Sequence, residues 1–204
     1  MALYRDRILP HLIRLVMRNH HLVPYRARVL AAAAGRVLEV GIGAGANLPF
    51  YGPQAREVIG LEPAPRLVEM ARRAAKHSLL PVKVIEAPAE NIPLDDNSID
   101  TVVMTWTLCS IPDAAGGLSE MRRVLKRGGR LLFVEHGLAP ENRVQKWQHR
   151  LTPFSKHVCG GCHLDRAISS LIENAGFRFE RLDCGYMRGP NPIAFIYEGS
   201  ALSS

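Results

Sequence analysis

The chain has 204 residues, 47% hydrophobic and 22% charged, with a formal net charge of +7. That length holds one α/β domain with a full core, and that apolar content excludes a disordered chain. No run approaches the ~18–20 apolar residues of a membrane span, and the early apolar residues are interleaved with arginine, unlike a secretory leader.

The charge is concentrated at the start. Residues 1–36 hold seven arginines against Asp6, a balance of +6; the rest carries 19 basic and 18 acidic groups. At about 100° per residue, Arg7, His11, Arg14 and Arg18 share one stripe of a helix over 4–19, and Leu9, Leu12, Ile13 and Val16 share the opposite stripe. Pro10 fits that helix only in its first turn. A second helix is expected near 24–34. This arm, 1–34, has two readings: a lid packed over a ligand cleft, or contact of residues 1–24 with an anionic membrane. The nearly neutral remainder, 35–204, argues against nucleic acid.

The first strand is expected at 36–41 and ends in Gly41, Gly43 and Gly45, a loop in which backbone turns tightly and lies against a ligand. Nineteen residues after Gly43, Glu62 ends a second strand at 57–62, where an acid can accept hydrogen bonds from a ribose diol. A pyrophosphate site has no use for Glu39, two residues before Gly41, whereas a cationic methionine amino group does. S-adenosylmethionine is therefore preferred to a nicotinamide dinucleotide.

A short helix is expected near 48–53, then a helix at 64–77, strands at 82–86 and 100–105, a helix at 114–126 and a strand at 130–136. An insert at 137–162 contains a helical piece at 145–150 and covers the acceptor site. A helix at 163–175 and strands at 177–183 and 193–198 follow, the last two joined through a turn at 189–192. Strands alternating with helices imply a Rossmann-like, doubly wound seven-stranded α/β sheet, the last strand antiparallel, with helices on both faces.

The turn Pro88, Ala89, Glu90, Asn91, Ile92, Pro93 and Leu94, followed by Asp95 to Asp100 and the strand beginning at Thr101, resembles the class I S-adenosylmethionine-dependent methyltransferases. The resemblance implies that Glu39, Gly41 and Gly43 hold the methionine part, Glu62 the ribose, and Ala89 and Glu90 the adenine edge, with Gly45, Asn47, Pro63, Thr105 and Leu108 also binding the cofactor. Three further segments resemble the thiol methyltransferase branch of the methyltransferase-like proteins. They are Glu135 and His136 at a strand end, Trp147 and Gln148 ahead of Pro153, and Gly161, Cys162, His163, Leu164 and Arg166 running to Phe177. Thr105, Leu108, Cys109 and Ser110 agree with it too. Members of that branch in eukaryotes begin with a hydrophobic anchor; here the basic helix stands in its place.

The acceptor is then a small apolar molecule, most simply a thiol, lined by Trp106, Cys109, His136, Trp147, Cys162 and His163. His136 has two readings, a catalytic base near neutrality and a hydrogen-bonded structural histidine. A phospholipid amine or a quinone ring at a membrane surface is the alternative acceptor. A non-catalytic cofactor-binding module is the alternative from another class. The compact run His157, Cys159, Cys162 and His163 offers four N/S ligands, but structural zinc sites bring two pairs from separate segments, so packing or pocket lining is expected and no metal, with a redox-sensitive cysteine pair as the other reading. Four cysteines, Cys184 included, are too few for a disulfide framework, and a reducing cytoplasm is expected.

Overall fold

In the computed structural model, which describes residues 4–203, the apolar runs become one seven-stranded sheet. Residues 1–3 of the arm and Ser204 lie outside the described residues. β1 (Gly35–Val40), β2 (Ala55–Glu62), β3 (Val82–Glu86), β4 (Ile99–Thr105) and β5 (Leu125–His136) are parallel, and β6 (Phe177–Tyr186) and β7 (Phe195–Ser203) complete the order β3-β2-β1-β4-β5-β7-β6. β7 is antiparallel to both its neighbours. The central strands are apolar along their length because both faces are covered. Val37, Leu38, Val102, Val103 and Met104 are fully buried. Chain order reverses between β1 and β4, so the crevice for a ligand opens at their carboxyl ends.

One face is packed by α4 (Ala114–Val124) and α6 (Ile168–Asn174), with Leu118, Met121 and Ile168 against Met104 and Phe133. The other is packed by α2 (Val23–Ala31) and α3 (Pro65–Ala75), with Val29, Leu30 and Ala71 against Val37, Val58 and Val103. Local signals start these helices. Asp113 caps α4 by accepting from the Gly116 N–H at 3.0 Å, and proline occupies the first turn of α2 and α3.

Some elements differ from expectation. The helix near 48–53 is a single tight turn, Leu48–Phe50. The insert holds a 17-residue helix, α5 (Asn142–Val158), with Pro153 inside it. Proline there removes the N–H that the His149 carbonyl would accept, and His149 faces solvent, where water can replace it. The helix expected from 163 begins only at Ile168, because residues 163–166 are tied sideways: the His163 N–H to the Cys109 carbonyl, the Leu164 N–H to Thr152 Oγ1, and the Arg166 carbonyl to the Leu138 N–H. The 189–192 turn runs into one helical turn, α7 (Asn191–Ala194).

The arm is two different things. α2 belongs to the core, with Leu30 fully buried. A π-helical turn, Tyr4–Ile8, leads into α1 (Leu9–Met17), which attaches through Leu9 and Pro10 and through the Tyr4 hydroxyl on the Val158 carbonyl at 2.8 Å. Within the expected apolar stripe of α1, Leu9 is buried and Ile13 half-buried, while Leu12 and Val16 face solvent. Leu12 and Val16, and Leu15 beside them, are 43%, 61% and 71% exposed. Leu30→Ala should therefore cost about 2–5 kcal/mol and Leu15→Ala no more than about 0.5 kcal/mol, as read from urea denaturation midpoints.

Candidate active site

The glycine loop after β1 owes its sequence to backbone geometry. Gly41 and Gly43 have φ of +71° and +56°, a region in which side chains are strained. A Cβ on Gly41 would also lie 2.3 Å from Thr107 Oγ1, whereas one on Gly43 would meet nothing nearer than the Gly41 carbonyl oxygen at 4.0 Å. The space beside Gly43 is thus clear. Glu62, at the end of β2, accepts from the Gly43 N–H at 3.0 Å and the Ala64 N–H at 3.1 Å. Its carboxylate is fixed at the loop with lone pairs to spare for hydroxyl donors. Burial raises its pKa, against those two N–H bonds. Gly45 serves packing: a Cβ there would be 2.9 Å from Ala74 on α3.

Glu39 lies inside β1, 1% exposed. It accepts from Asn47 Nδ2 at 2.9 Å and from the Tyr51 hydroxyl at 2.7 Å. Asn47 Nδ2 also donates to Thr105 Oγ1 at 3.0 Å, and Arg26 donates to Asn47 Oδ1 and to the Met17 carbonyl. Burial pushes the Glu39 carboxyl up to about 7, against the opposing pull of Tyr51, Arg26 and Asn47. Arg26 is one of the seven arginines of residues 1–36, yet it is 3% exposed and stacks 5.0 Å from the centre of the Trp106 ring. The signal was available: 26, 29, 30 and 33 share one helical stripe, which places Arg26 on the buried face of α2.

The expected adenine edge keeps Ala89 buried, while Glu90 accepts from the Asp113 N–H at 3.1 Å and so braces the start of α4. Pro63 is exposed beyond β2. The Leu108 side chain belongs to the sheet core and is not turned to the crevice.

At the ends of β4 and β5 the chain folds tightly. Trp106 adopts φ +51°, uncommon for a residue with a side chain. Glu135, fully buried, accepts from the Thr107 N–H at 2.8 Å and from the N–H groups of Leu108 and Cys109. Burial pushes its carboxyl up to about 7, against these N–H bonds. His136 Nε2 lies 3.0 Å from Cys162 Sγ. The ligand-capable atoms of Cys109, His136 and Cys162 are all within 4.8 Å of one another. Burial lowers the His136 pKa, but the hydrogen bond to Cys162 and the charges of Cys162 and Glu135 outweigh it and leave it raised. The Cys162 thiol is pushed well up, first by its hydrogen bond to Cys109 and then by burial. Glu135 Oε2 and His136 Nδ1 are buried with no hydrogen-bond partner among the described residues.

The insert closes over this cluster. Gln148, 1% exposed, accepts from the Ala139 N–H at 3.0 Å and donates to the Gly137 carbonyl at 2.9 Å. Arg166 donates to the Leu108 carbonyl. Trp147 does not line the site; it is 50% exposed, because Gln148 takes the inward position on α5. The His163 side chain is outside the cluster and only its N–H is used there. Cys159 is exposed, and His157 Nδ1 sits on the Pro153 carbonyl at 2.7 Å, so the compact run 157–163 contributes Cys162 alone. A hollow of about 360 Å³ lined by Asn97, Arg122 and Arg127 is at the other end of the sheet. A carboxyl raised from 4.5 to about 7 stabilises the fold fully below pH 4.5, and that contribution is lost as pH rises through 7. Glu135→Gln should match the parent in melting temperature at pH 5 and exceed it at pH 8 in calorimetric scans.

Comparison with known proteins agrees with this geometry. Residues 38–133 match the family model described as a methyltransferase domain. The chain is 36% identical over 176 residues to thiol S-methyltransferase TMT1B of Homo sapiens, covering 83% of this chain and 70% of that one. It is 32% identical to phosphatidylethanolamine N-methyltransferase of Cereibacter sphaeroides, over 67% of each. It spans 59–70% of the length of the thiol methyltransferases it matches. Among solved structures, a methyltransferase from Thermotoga maritima superposes with a TM-score of 0.71 at 24% identity, covering 100% of this chain and 99% of that one. With its sheet order, its glycine loop braced by Glu62 and these likenesses, the chain belongs to the class I S-adenosylmethionine-dependent methyltransferases.

Proposed function

We propose that this methyltransferase acts on a small thiol, held between the ends of β4 and β5 by Cys109, His136 and Cys162. The observation that carries the reading is that cluster: two thiols and an imidazole within 4.8 Å, enclosed by the insert, a soft and compact surface suited to sulfur. The thiol S-methyltransferases among its relatives support it. Bound S-adenosylmethionine supplies an electrophilic methyl group on a sulfonium. The residues fit such a cofactor. Gly43 leaves the loop open, Glu62 presents a fixed carboxylate to a diol, and Glu39 puts a buried acid near the strand end where a cationic amino group would lie. A free thiol, pKa about 8.5, is a far weaker nucleophile than its thiolate. His136 is placed to take that proton through Nε2, the nitrogen facing Cys162. Positioning supplies the remainder.

The deciding assay is transfer of labelled methyl to a small aliphatic thiol. Label should appear in the thioether and be lost in Glu62→Ala. His136→Gln should lower kcat/KM by about 10²–10⁴-fold. A base must be neutral to act, so parent kcat/KM should rise with pH as His136 loses its proton, above the usual histidine range, whereas His136→Gln should follow only the ionisation of the free thiol near about 8.5. No label, in protein that still binds S-adenosylhomocysteine, overturns the thiol.

A second reading, a phospholipid amine or quinone ring at a membrane surface, is favoured by one observation. Leu15 and Val16 of α1 and Trp147 and Phe154 of α5 are 50–71% exposed, with Arg14 and Arg150 among them, and the Tyr4 contact joins the two helices. No helix among the described residues is long and apolar enough to cross a membrane, so such contact would be peripheral. Phe154→Glu with Leu15→Glu should abolish co-sedimentation with anionic vesicles; unchanged sedimentation removes membrane contact.

A further inference from the structure

We propose that Cys109, His136 and Cys162 form a zinc site with one open coordination position, which the acceptor thiol fills. The occupant of that position rests on the thiol reading above; the three-ligand site does not. The ligands come from three places in the chain. Cys109 follows β4, His136 ends β5, and Cys162 lies between α5 and α6. The fold gathers them so that Nε2 and both Sγ atoms lie within 4.8 Å of one another, with Nε2 to Cys162 Sγ at 3.0 Å. Zinc bonds of about 2.3 Å to sulfur and about 2.0 Å to nitrogen, at tetrahedral angles, put ligand atoms roughly 3.5 Å apart. The cluster therefore needs only small rotamer adjustments to close on the ion.

Charge favours the same conclusion. Cys109 and Cys162 are 2% and 8% exposed, and a lone thiolate in such a place is costly. Zinc with two thiolates and a neutral imidazole carries no net charge. Two thiolates and an imidazole also select zinc over calcium or magnesium, which take oxygen ligands. Three protein ligands with a vacant fourth position is the arrangement of catalytic rather than structural zinc. A thiolate in the fourth position brings the total to −1. Arg166, whose guanidinium interacts electrostatically with Cys109 and Cys162, can offset it.

The step is a ligand binding with loss of a proton. The acceptor S–H bond breaks, the proton goes to water, and the sulfur keeps the electron pair and shares it with the ion, which stays divalent. Nε2 of His136 cannot both bind zinc and accept this proton. The base role described above therefore belongs to metal-free protein, and zinc replaces it in the loaded form. His157, Cys159 and His163 take no part, as Cys159 is exposed and the other two side chains lie outside the cluster.

The test uses full-length protein, stripped with chelator, kept reduced with a phosphine and titrated with cobalt(II) and then zinc(II), without S-adenosylmethionine. One cobalt per chain is expected, with a sulfur-to-cobalt charge-transfer band and tetrahedral d–d bands, and zinc should displace it. Cys162→Ser and, independently, Cys109→Ala should weaken binding at least about tenfold while keeping the parent circular dichroism; Cys159→Ser should match the parent. Adding a small aliphatic thiol should increase the charge-transfer band by roughly half, from two thiolates to three. Absence of stoichiometric metal in folded parent, or binding that survives both Cys162→Ser and Cys109→Ala, overturns the site. Metal whose spectrum ignores the thiol overturns the open position. Labelled-methyl transfer measured on the same preparation separates these failures. Thiol methylation without metal leaves the thiol reading standing and the zinc site refuted, whereas metal binding with no thiol methylation under any condition refutes the thiol reading and leaves the three-ligand site.

Discussion

A carboxylate in the middle of a parallel sheet has to be satisfied by groups that are themselves fixed, and Glu39 imposes that condition on the cofactor side of this fold. Two faces of β1 are covered, so water cannot solvate the charge. Asn47 from the glycine loop and Tyr51 from the turn beyond it take its two oxygens. Asn47 is held in turn by Thr105 of β4 and Arg26 of α2. Arg26 is buried too, and finds the Met17 carbonyl and the face of Trp106. One buried charge therefore joins α2, the loop after β1 and the end of β4. Those contacts fix the loop geometry from within the protein, which is what a positioning catalyst requires.

The same condition recurs across β4. Glu135 is buried at the end of β5 and gathers the N–H groups of Thr107, Leu108 and Cys109, which curls the chain after β4. That curl brings Cys109 next to His136 and Cys162. The insert is pinned above by Gln148 on residues 137 and 139 and by Arg166 on Leu108. Two buried carboxylates thus flank β4, one organising the donor side and one the acceptor side. Both have pKa values raised to about 7, so each costs stability where the protein is at neutral pH. Destabilised charge at the reacting centre is a common feature of active sites.

The fold was legible because its signals are local and repeated. Apolar runs at regular spacing, the three glycines of 41–45 and proline at helix starts each follow from backbone sterics within a few residues. Glu62 was legible for the same reason, since its distance from Gly43 is set by one strand–loop–strand unit. Trp147 and Gln148 mark the limit. Adjacent residues on a helix point about 100° apart, and which of them turns inward depends on where α5 docks.

The sequence by itself determined the strand–helix alternation, the glycine loop with its acid nineteen residues on, and hence a nucleoside-bearing cofactor on a doubly wound sheet. Only the tertiary structure decided that Arg26 leaves the basic arm to support Glu39, and that Cys162 joins Cys109 and His136 rather than its near neighbour Cys159. Periodicity and turn chemistry act over a handful of residues and can be read in one dimension. Contacts between residues 21 or 26 positions apart depend on how whole elements pack, and the need to satisfy buried polar groups selects among packings only once the chain has closed.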